Sequence, residues 1–463
     1  MPEPRLRVGL IQGRETLRFR LDGLFHLLVD DAPEPTARVG GRWRAECGPD
    51  GIALWRHGAR EPLLTGRRLL LRPLVEGESS FLLHEMTVGV DFHWQHDEDL
   101  SFLGCLSLEA REASSAGARM DAVNEVGLEA YLLSVISSEM SARCPTALLE
   151  AHAVISRSWL LAQLEARGSA AGNPAEGALA PEQRDGASWV TRWYDREDHA
   201  WFDVCADDHC QRYQGVTRAF SPQATAAVQA TRGQVLVDDG VVCDARFSKC
   251  CGGFTELFSS AWGPDDPAYL QAFADLPQGG EPAYALPLCD EANAVAFIQG
   301  APPAFCNTQD RGVLEKLLPE LDHDTRDFYR WEQVIEQGDL QALLRDKLGL
   351  ELGAIQAMTP VERGPSGRLI RLAIDGEQGR VVLGKELEIR RALSPTHLYS
   401  SAFVVQPEGE EDSAPARFRL RGAGWGHGVG LCQIGAAVMA EQGYHGRAIL
   451  AHYYRGAELE RRY

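Results

Sequence analysis

Two neighbouring segments with helical spacing constrain the fold of this chain more than any other feature. The first, residues 127–140, repeats apolar residues at helical intervals, namely Leu128, Tyr131, Leu132, Val135 and Ile136. At roughly 100° per residue, Glu139 lies about 20° from Leu128, so its carboxylate shares the apolar face. An acid there either pairs with a cation or has its pKa raised by desolvation, and a raised pKa suits a general acid. The alternative is a helix-terminal glutamate that turns out to solvent.

The second segment, residues 144–166, predicts a buried helix with one charged residue inside it. Pro145 suits the first turn, and apolar residues then occur all round the helix. Arg157 lies within it and needs an anionic partner, because an unpaired buried charge is costly. The candidate partners are Glu139, another acid of the fold and a substrate carboxylate. The alternative is an arginine that extends to the rim of the helix.

Length, composition and charge set the broad class of the protein. The chain has 463 residues, of which 44% are hydrophobic and 24% charged, as in a globular protein of two or three domains. Its net charge of −20 disfavours a nucleic-acid partner. No apolar run approaches the roughly 18–20 residues that cross a membrane, and the N-terminus shows no apolar core of a signal peptide. We therefore expect a cytosolic protein, or a mature form whose leader was removed.

The order of patterns along the chain predicts an α+β fold. Alternating residues punctuated by Gly, Pro and Asp predict strands over residues 5–110, and hence an N-terminal β-rich domain over residues 1–120. A second domain, residues 121–463, has a mixed, β-rich core with buried helices that bear the active site. Within it, residues 167–186 predict a flexible loop and residues 275–350 a mostly helical insertion.

Local patterns predict further elements in the second domain. Residues 223–233 predict a short helix that ends at a glycine, and residues 235–242 a hairpin with an Asp-Gly turn. Residues 353–405 predict a return to strands.

A cluster of cysteines points to metal binding. Five of the eleven cysteines fall within 47 residues: Cys205, Cys210, Cys243, Cys250 and Cys251. Cys205, His209 and Cys210 place three thiol or imidazole groups within six residues, which suits tetrahedral Zn²⁺ with Cys250 or Cys251 as a candidate fourth ligand. This is not a standard zinc-finger spacing. The alternatives are a disulfide between Cys205 and Cys210, or buried thiols.

A glycine-rich segment predicts an unusual loop near the C-terminus. Residues 422–430 contain five glycines around Trp425 and His427, and a predicted helix follows. The segment is not a dinucleotide-binding fingerprint, because Trp425 and His427 interrupt it and no acidic residue follows a strand about 20 positions on. Trp425, His427 and Gln433 suit a platform that stacks on a sugar and hydrogen bonds to it. The alternative is a tight structural turn with a core tryptophan.

Taken jointly, these segments resemble the SpoIID/LytB family, the stage II sporulation protein D and amidase-enhancer proteins of bacteria. The resemblance covers about residues 121–460. Its blocks contain Ser138-Glu139-Met140, the Arg157 helix and Gly424-Trp-Gly-His-Gly through Gln433, with residues 203–215, 230–236, 248–256 and 362–368 between them, in the order that the family shows.

The resemblance implies a lytic transglycosylase that acts on peptidoglycan glycan strands stripped of their stem peptides. Glu139 matches the catalytic glutamate of the family and Arg157 the arginine of the second helix, so both are expected to be catalytic. Cys205, His209 and Cys210 match a Zn²⁺ site that some members have. The expected substrate-binding residues are Trp425, His427, Gln433 and Lys249. The family substrate implies the cell envelope or periplasm as the location.

Two other functions fit the same sequence. One is a non-catalytic glycan-binding module that stimulates a partner cell-wall amidase, after which the amidase-enhancer branch is named. The other is an intracellular zinc protein. The chain departs from the usual family pattern at His152, where Gln is common, at Cys432, where Ser is common, and in the additional Cys251.

Overall fold

Strands outnumber helices in this protein, which has a mixed, β-rich architecture. The computed structural model describes residues 2–89, 95–111, 117–139, 143–169, 182–184, 186–191, 199, 201–207, 209–217, 221–317, 327–410 and 413–463. Within these ranges there are 24 strands and ten helices. The α+β class is confirmed at this level, whereas the assignment of the active site to the buried helices stays a prediction. None of the described helices is long and apolar enough to span a membrane.

The first ten strands and one later strand form a single large sheet. They are β1 (Arg5–Arg14), β2 (Thr16–Val29), β3 (Ala37–Gly48), β4 (Gly51–Arg56), β5 (Leu64–Gly66), β6 (Arg68–Pro73), β7 (Ser80–Val88), β8 (His96–Leu103), β9 (Cys105–Ala110), β10 (Met120–Gly127) and β13 (Val204–Cys205). The strand order is β13-β1-β10-β9-β6-β2-β3-β4-β5, with β7 paired to β2 and β8. The strands predicted over residues 5–110 are confirmed. Because β10 belongs to this sheet, the predicted domain boundary at residue 120 falls at the start of one of its strands.

Alternation along these strands explains why they form a half-buried sheet. In β2, Leu17, Phe19 and Leu21 are buried, whereas Arg18 is exposed and Arg20 half-buried between them. Successive side chains of a strand point to opposite faces, so one face of β2 joins the core and the other meets solvent.

Two consecutive helices connect this sheet to the rest of the protein. α1 (Leu128–Glu139) follows β10 directly, and α2 (Thr146–Ser169) begins after Pro145. Residues 151–161 of α2 are buried all round, as predicted. α3 (Pro222–Ala230) begins after Ser221, whose hydroxyl accepts a hydrogen bond from the Ala224 N–H and so caps the helix. α2 packs against both α1 and α3.

Two further sheets, of five and three strands, and five more helices lie after α2 in the described part of the chain. One sheet joins β11 (Glu182–Arg184), β12 (Ala187–Thr191), β20 (Gly379–Gly384), β19 (Leu369–Gly376) and β18 (Ile355–Arg363). The other joins β17 (Arg330–Glu336), β22 (Arg417–Ala423) and β21 (Phe403–Glu408). The helices are α4 (Phe258–Ala261), α5 (Glu291–Gly300), α6 (Arg311–Leu317), α7 (Gln337–Leu348) and α8 (Glu386–Ala392).

Two of the predicted segments differ from this arrangement in part. The described part of residues 275–350 contains α5, α6 and α7 but also β17. The strand region 353–405 contains α8, where Glu386 and Arg390 pair at helical spacing. Most of the predicted loop 167–186 lies outside the described residues, and its ends belong to α2 and β11.

Two small sheets complete the fold beside the helices. β14 (Gln234–Asp238) pairs with β15 (Val241–Val242) and β24 (Glu458–Arg461), which confirms the predicted hairpin. β16 (Phe247–Ser248) runs parallel to β23 (Leu431–Cys432), and α9 (Gln433–Glu441) and α10 (Gly446–Tyr453) follow. Between β22 and β23, Gly424, Gly426, Gly428 and Gly430 all have positive φ. Side-chain-bearing residues rarely adopt this conformation, which explains the alternate glycines.

Candidate functional site

A single large cleft gathers most of the residues that the sequence singles out. Its volume is about 1370 Å³. The large sheet contributes one wall through β1, β7 and β8. The other walls come from the turn that carries Cys205, His209 and Cys210, here called the metal-ligand turn, from the glycine-rich loop and from α8. Eight predicted site residues line it: Glu139, Cys205, His209, Cys210, Lys249, Trp425, His427 and Gln433. Arg157 and Cys250, the two other predicted site residues, do not.

Glu139 is the last residue of α1 and faces this cleft. The apolar stripe of α1 is fully buried, and the Glu139 side chain at its end is half-buried. Its Oε1 accepts a hydrogen bond of 2.9 Å from the backbone N–H of Arg212. Among the described residues, Oε2 has no hydrogen-bond partner. One carboxylate oxygen is therefore held by the protein, and the cleft beside it has room for a ligand.

The predicted metal ligands lie together, with a fourth that the sequence analysis missed. His199, Cys205, His209 and Cys210 each place one donor atom within 4.8 Å of the other three. His199 Nε2 lies 3.3 Å and His209 Nδ1 3.5 Å from Cys210 Sγ. Tetrahedral Zn²⁺ with ordinary bond lengths separates such atoms by about 3.3–3.8 Å. The donor set and its spacing therefore fit a metal ion such as Zn²⁺.

Two predictions about this turn are corrected by the structure. His199, and not Cys250 or Cys251, completes the set of four, because both of those cysteines are buried elsewhere beside Cys306 and Cys432. Cys205 and Cys210 do not form the alternative disulfide. Hydrogen bonds from Cys210, His199 and His209 lower the pKa of Cys205 to about 2, despite its burial. A thiolate at this position is the form that binds metal.

The turn that carries these ligands is tied to both the large sheet and Glu139. His199 stacks on Phe202, which packs so closely on β1 that a Cβ at Gly9 would lie 2.5 Å from its ring. Cys205 is in β13, paired with β1. The chain then passes through Cys210 to Arg212, whose N–H binds Glu139. The metal-ligand turn therefore sets the position of the hydrogen-bond donor to Glu139.

Arg157 does not pair with Glu139 and does not line the cleft. It is 0% exposed, and its guanidinium makes a bidentate pair with Glu129, the second residue of α1. Glu129 Oε1 also accepts hydrogen bonds from Gly233 N–H and the Tyr463 hydroxyl. Burial raises the pKa of Glu129, but the bonds and charge of Arg157 outweigh it and the pKa is lowered. These contacts support a structural role for Arg157, and its expected catalytic role, which the resemblance implies, gains no support from them.

The glycine-rich loop presents Trp425 and His427 to the cleft in different ways. Trp425 is half-buried, with its ring stacked on Phe328 at 5.0 Å between centroids. His427 Nδ1 accepts a hydrogen bond of 3.0 Å from Val429 N–H, and the ring also interacts with the Phe247 backbone. Burial and the charge of Arg246 hold the pKa of His427 well below its usual value. Because Val429 N–H occupies Nδ1, this nitrogen is not available to a sugar, and the sugar-binding role of His427 stays a prediction.

Gln433, at the start of α9, is oriented by the unusual His152. Its side-chain nitrogen lies 3.1 Å from His152 Nε2, and Ser156 Oγ lies 3.2 Å from Nδ1. Burial, with the charge of Lys249, lowers the pKa of His152 to about 3, so the ring is neutral near pH 7. A neutral imidazole can accept a hydrogen bond from the amide and leave the Gln433 carbonyl oxygen for a ligand.

The cleft is basic although the protein is acidic. Among the described lining residues, seven are Lys or Arg and four are Asp or Glu. Trp262 and Arg246 also line the cleft, although no sequence pattern singles them out. The Arg246 guanidinium lies 4.3 Å from the centroid of the Trp262 ring. Such an arrangement suits a ligand that carries both sugar rings and negative charge.

Comparisons with known proteins match two consecutive parts of the chain. A family model described as stage II sporulation protein matches residues 116–237, and one described as a domain of unknown function (DUF8618) matches residues 256–430. Stage II sporulation protein D of Bacillus amyloliquefaciens is 22% identical over 337 residues, or 73% of this chain and 75% of that protein. An uncharacterized protein of Brachyspira hyodysenteriae is 23% identical over 341 residues, or 73% and 68%.

A shorter match connects the chain to the second branch of these proteins. The amidase enhancer of Bacillus subtilis (strain 168) is 22% identical over 251 residues, which are 52% of this chain and 33% of that protein. The residues that match the stage II sporulation model include Glu139, the Arg157–Glu129 pair, and Cys205, His209 and Cys210 of the metal-ligand turn. These matches support the resemblance of the chain to the SpoIID/LytB family.

Proposed function

We propose that the protein is a peptidoglycan lytic transglycosylase with Glu139 as its general acid and base. The observation that carries this proposal is the position of Glu139 in the cleft, half-buried and held through one oxygen by Arg212 N–H. Among the described residues, no group hydrogen bonds to the other carboxylate oxygen, Oε2. A carboxyl group placed in this way can donate a proton to a bound substrate and then take one back.

The proposed reaction uses one carboxyl group twice. Protonated Glu139 donates its proton to the glycosidic oxygen between N-acetylmuramic acid and N-acetylglucosamine, and the bond from the muramic C1 breaks. The carboxylate then accepts the proton of the muramic 6-hydroxyl, whose oxygen bonds to C1 and closes a 1,6-anhydro ring. The internal hydroxyl replaces water and the second carboxylate of a hydrolase, because its effective concentration is high.

Charge in the cleft supports a glycan without stem peptides as the substrate. Removal of the peptides leaves a lactyl carboxylate on each muramic residue, and a protein of net charge −20 must offset its repulsion locally. The excess of basic side chains in the cleft, among them Lys249, supplies that offset. Trp425 offers ring surface for a sugar, and Gln433 a hydrogen-bonding amide.

We propose Zn²⁺ as the metal for His199, Cys205, His209 and Cys210. Four protein ligands close the coordination sphere, so a bound Zn²⁺ would supply structural stabilisation of the turn. The protein residues then carry the chemistry: the turn fixes Arg212, and Arg212 N–H orients Glu139. The substrate also implies that the protein works in the cell envelope, which is part of the same proposal.

A non-catalytic, glycan-binding amidase enhancer is the second candidate function, favoured by the similarity to the Bacillus subtilis amidase enhancer. Mass spectrometry after incubation of the purified full chain with peptide-free glycan separates the two. Chains with 1,6-anhydro ends support the enzyme. Unchanged strands, together with binding and a faster partner amidase, support the module.

A further inference from the structure

A second group of potential metal ligands lies in the interior, apart from His199 and its neighbours. Its members are Cys251, Asp275, Cys306 and Cys432, and each places a sulfur or oxygen within 4.8 Å of the other three. Cys251 Sγ lies 3.6 Å from Cys306 Sγ and 3.4 Å from Asp275 Oδ2. All four residues are buried, with Asp275 and Cys432 at 0% exposure.

The fold brings these four residues together from four separate segments. Cys251 follows β16, Asp275 and Cys306 lie in loops before and after α5, and Cys432 ends β23. Backbone hydrogen bonds fix the two loops to each other, because Phe305 N–H donates to the Asp275 carbonyl and Asp275 N–H to that of Gly253. Their convergence is therefore a product of the tertiary fold.

Backbone donors point at the sulfur atoms of this group. Cys432 Sγ accepts from Cys251 N–H at 3.2 Å and from Gly435 N–H at 3.4 Å, and Cys251 Sγ accepts from Gly253 N–H at 3.4 Å. A Cβ at Gly435 would lie 2.6 Å from Asp275 Oδ2, so only glycine leaves room there. Such N–H donors stabilise negative charge on sulfur, the form in which cysteine binds metal.

We propose that Cys251, Asp275, Cys306 and Cys432 form a second, closed metal site that takes a thiophilic divalent cation, with Zn²⁺ the best match to three thiolates and one carboxylate. The measured separations of 3.4 and 3.6 Å agree with the roughly 3.3–3.8 Å between ligands of a tetrahedral Zn²⁺ ion. Four protein ligands leave no open position, so the site is structural.

Charge and burial favour a cation over the two other states of these residues. Without a cation, an ionised carboxylate or thiolate here would be a buried charge, which is costly, whereas a neutral thiol would offer the N–H groups that point at Cys432 Sγ only a weak acceptor. A disulfide between Cys251 and Cys306 would need sulfurs about 2.05 Å apart, whereas they lie 3.6 Å apart, and it would not bind Cys432 or Asp275. A divalent cation would be bound by all four groups and would offset two of their four negative charges, while backbone N–H donors to Cys432 and Cys251 Sγ stabilise the remainder.

Residues around Asp275 resemble the outer shell of a metal site. Asp275 Oδ1 lies 3.0 Å from His452 Nε2 and accepts from the Tyr453 hydroxyl at 3.1 Å. The Tyr453 hydroxyl also lies 3.3 Å from Oδ2, the carboxylate oxygen that lies 3.4 Å from Cys251 Sγ. Partners of this kind orient metal ligands in proteins.

The proposed site lies directly behind one wall of the cleft. Cys432 precedes Gln433, and Cys250, beside Cys251, pairs through its backbone with Trp425. A metal here would tie the glycine-rich loop and α9 to the loop around Asp275. The inference concerns metal content and stability, and does not require the proposed transglycosylase activity.

The first test leaves the buried residues untouched. The full chain, and its double variant His209→Ala with Cys210→Ala, are purified under reducing conditions, and their zinc is measured by mass spectrometry of the elements. We expect about two equivalents in the wild type and about one in the double variant. A double variant without metal would overturn the proposal, as would iron with acid-labile sulfide in place of zinc.

The second test changes the site itself. Cys306→Ser and Asp275→Asn should each lose about one zinc equivalent, whereas Cys105→Ala, at another buried thiol, should lose none. If Cys306→Ser does not fold, Asp275→Asn and the double variant above still decide the matter. Peptide mapping without reductant provides a further check: a Cys251–Cys306 disulfide in metal-free, folded wild type would overturn the proposal.

Discussion

Arg157 and Glu129 form a bidentate ion pair in the interior, with Nε to Oε1 at 3.0 Å and Nη2 to Oε2 at 2.8 Å. The pair joins the middle of α2 to the start of α1. Through Gly233 and Tyr463 it also reaches the beginning of β14 and the C-terminal residue. Glu139 is the last residue of α1, ten residues after Glu129. It therefore depends on this ion pair for the position of α1 and on Arg212 N–H for its own orientation.

Removal of Arg157 should destabilise the protein without a direct effect on chemistry. Arg157→Ala leaves Glu129 buried and unpaired, and we expect a loss of about 3–5 kcal/mol in the free energy of unfolding. Urea denaturation measures it. The exposed Arg38→Ala variant is the control and should be unchanged. A stable Arg157→Ala protein with no activity would contradict the structural role.

Acid should destabilise the protein through His152. Its pKa is about 3 in the folded protein and 6.5 when unperturbed, so between these values only the unfolded chain binds the proton. The contribution of neutral His152 to the free energy of unfolding is therefore fully present above pH 6.5, and it is lost as the pH is lowered toward 3. His152→Gln should reduce the slope by up to about 1.4 kcal/mol per pH unit.

Urea midpoints across this pH range test that slope. The exposed His57→Gln variant serves as the control and should retain the wild-type pH dependence. An equal slope in wild type and His152→Gln would mean that His152 is protonated in the folded state.

Loss of the first metal should disorder the turn that positions Arg212. In His209→Ala we expect faster hydrogen exchange over residues 205–213 and a roughly 10–100-fold lower rate of anhydro-product formation. The circular dichroism of the rest of the protein should persist. If hydrogen exchange over residues 205–213 is unchanged in a variant that lacks the metal, the order of the turn does not depend on metal binding.

Lys249 should contribute to binding through charge. Lys249→Ala removes one basic group from the cleft, and we expect a roughly 3–10-fold rise in the Kd for peptide-free glycan at low salt. The difference should shrink as salt is added, because ions screen the attraction. Titration calorimetry at two ionic strengths measures it. A salt-independent difference would point to a packing role for Lys249.

Local patterns were sufficient for the parts of the site that are continuous in sequence. The helical spacing of α1 predicts that Glu139 shares a face with the buried residues of that helix. The short spacing of Cys205, His209 and Cys210 along the chain predicts that their side chains lie close together. The glycine-rich loop was recognised because its alternate glycines require positive φ. In each case the residues that interact are within a few turns of one another along the chain.

Contacts between segments that are distant along the chain could not be predicted from local sequence patterns. Glu129 was not identified as the partner of Arg157, since 28 residues separate them and several acids were available. His199 lies outside any recognised ligand spacing. The Cys251, Asp275, Cys306 and Cys432 group depends on four segments up to 181 residues apart. Only the duplicated cysteines at 250–251 and the unusual Cys432 gave any signal in the sequence.

The central claim, that Glu139 is the catalytic acid, is tested most directly by the products of one substitution. Wild type, Glu139→Gln and the exposed control Glu351→Gln are incubated with peptide-free glycan, and 1,6-anhydro ends are counted by mass spectrometry. Glu139→Gln should fold and bind glycan as the wild type does, yet form these ends at least about 10²–10⁴-fold more slowly, while Glu351→Gln is unaffected. Wild-type product formation by Glu139→Gln would contradict the account.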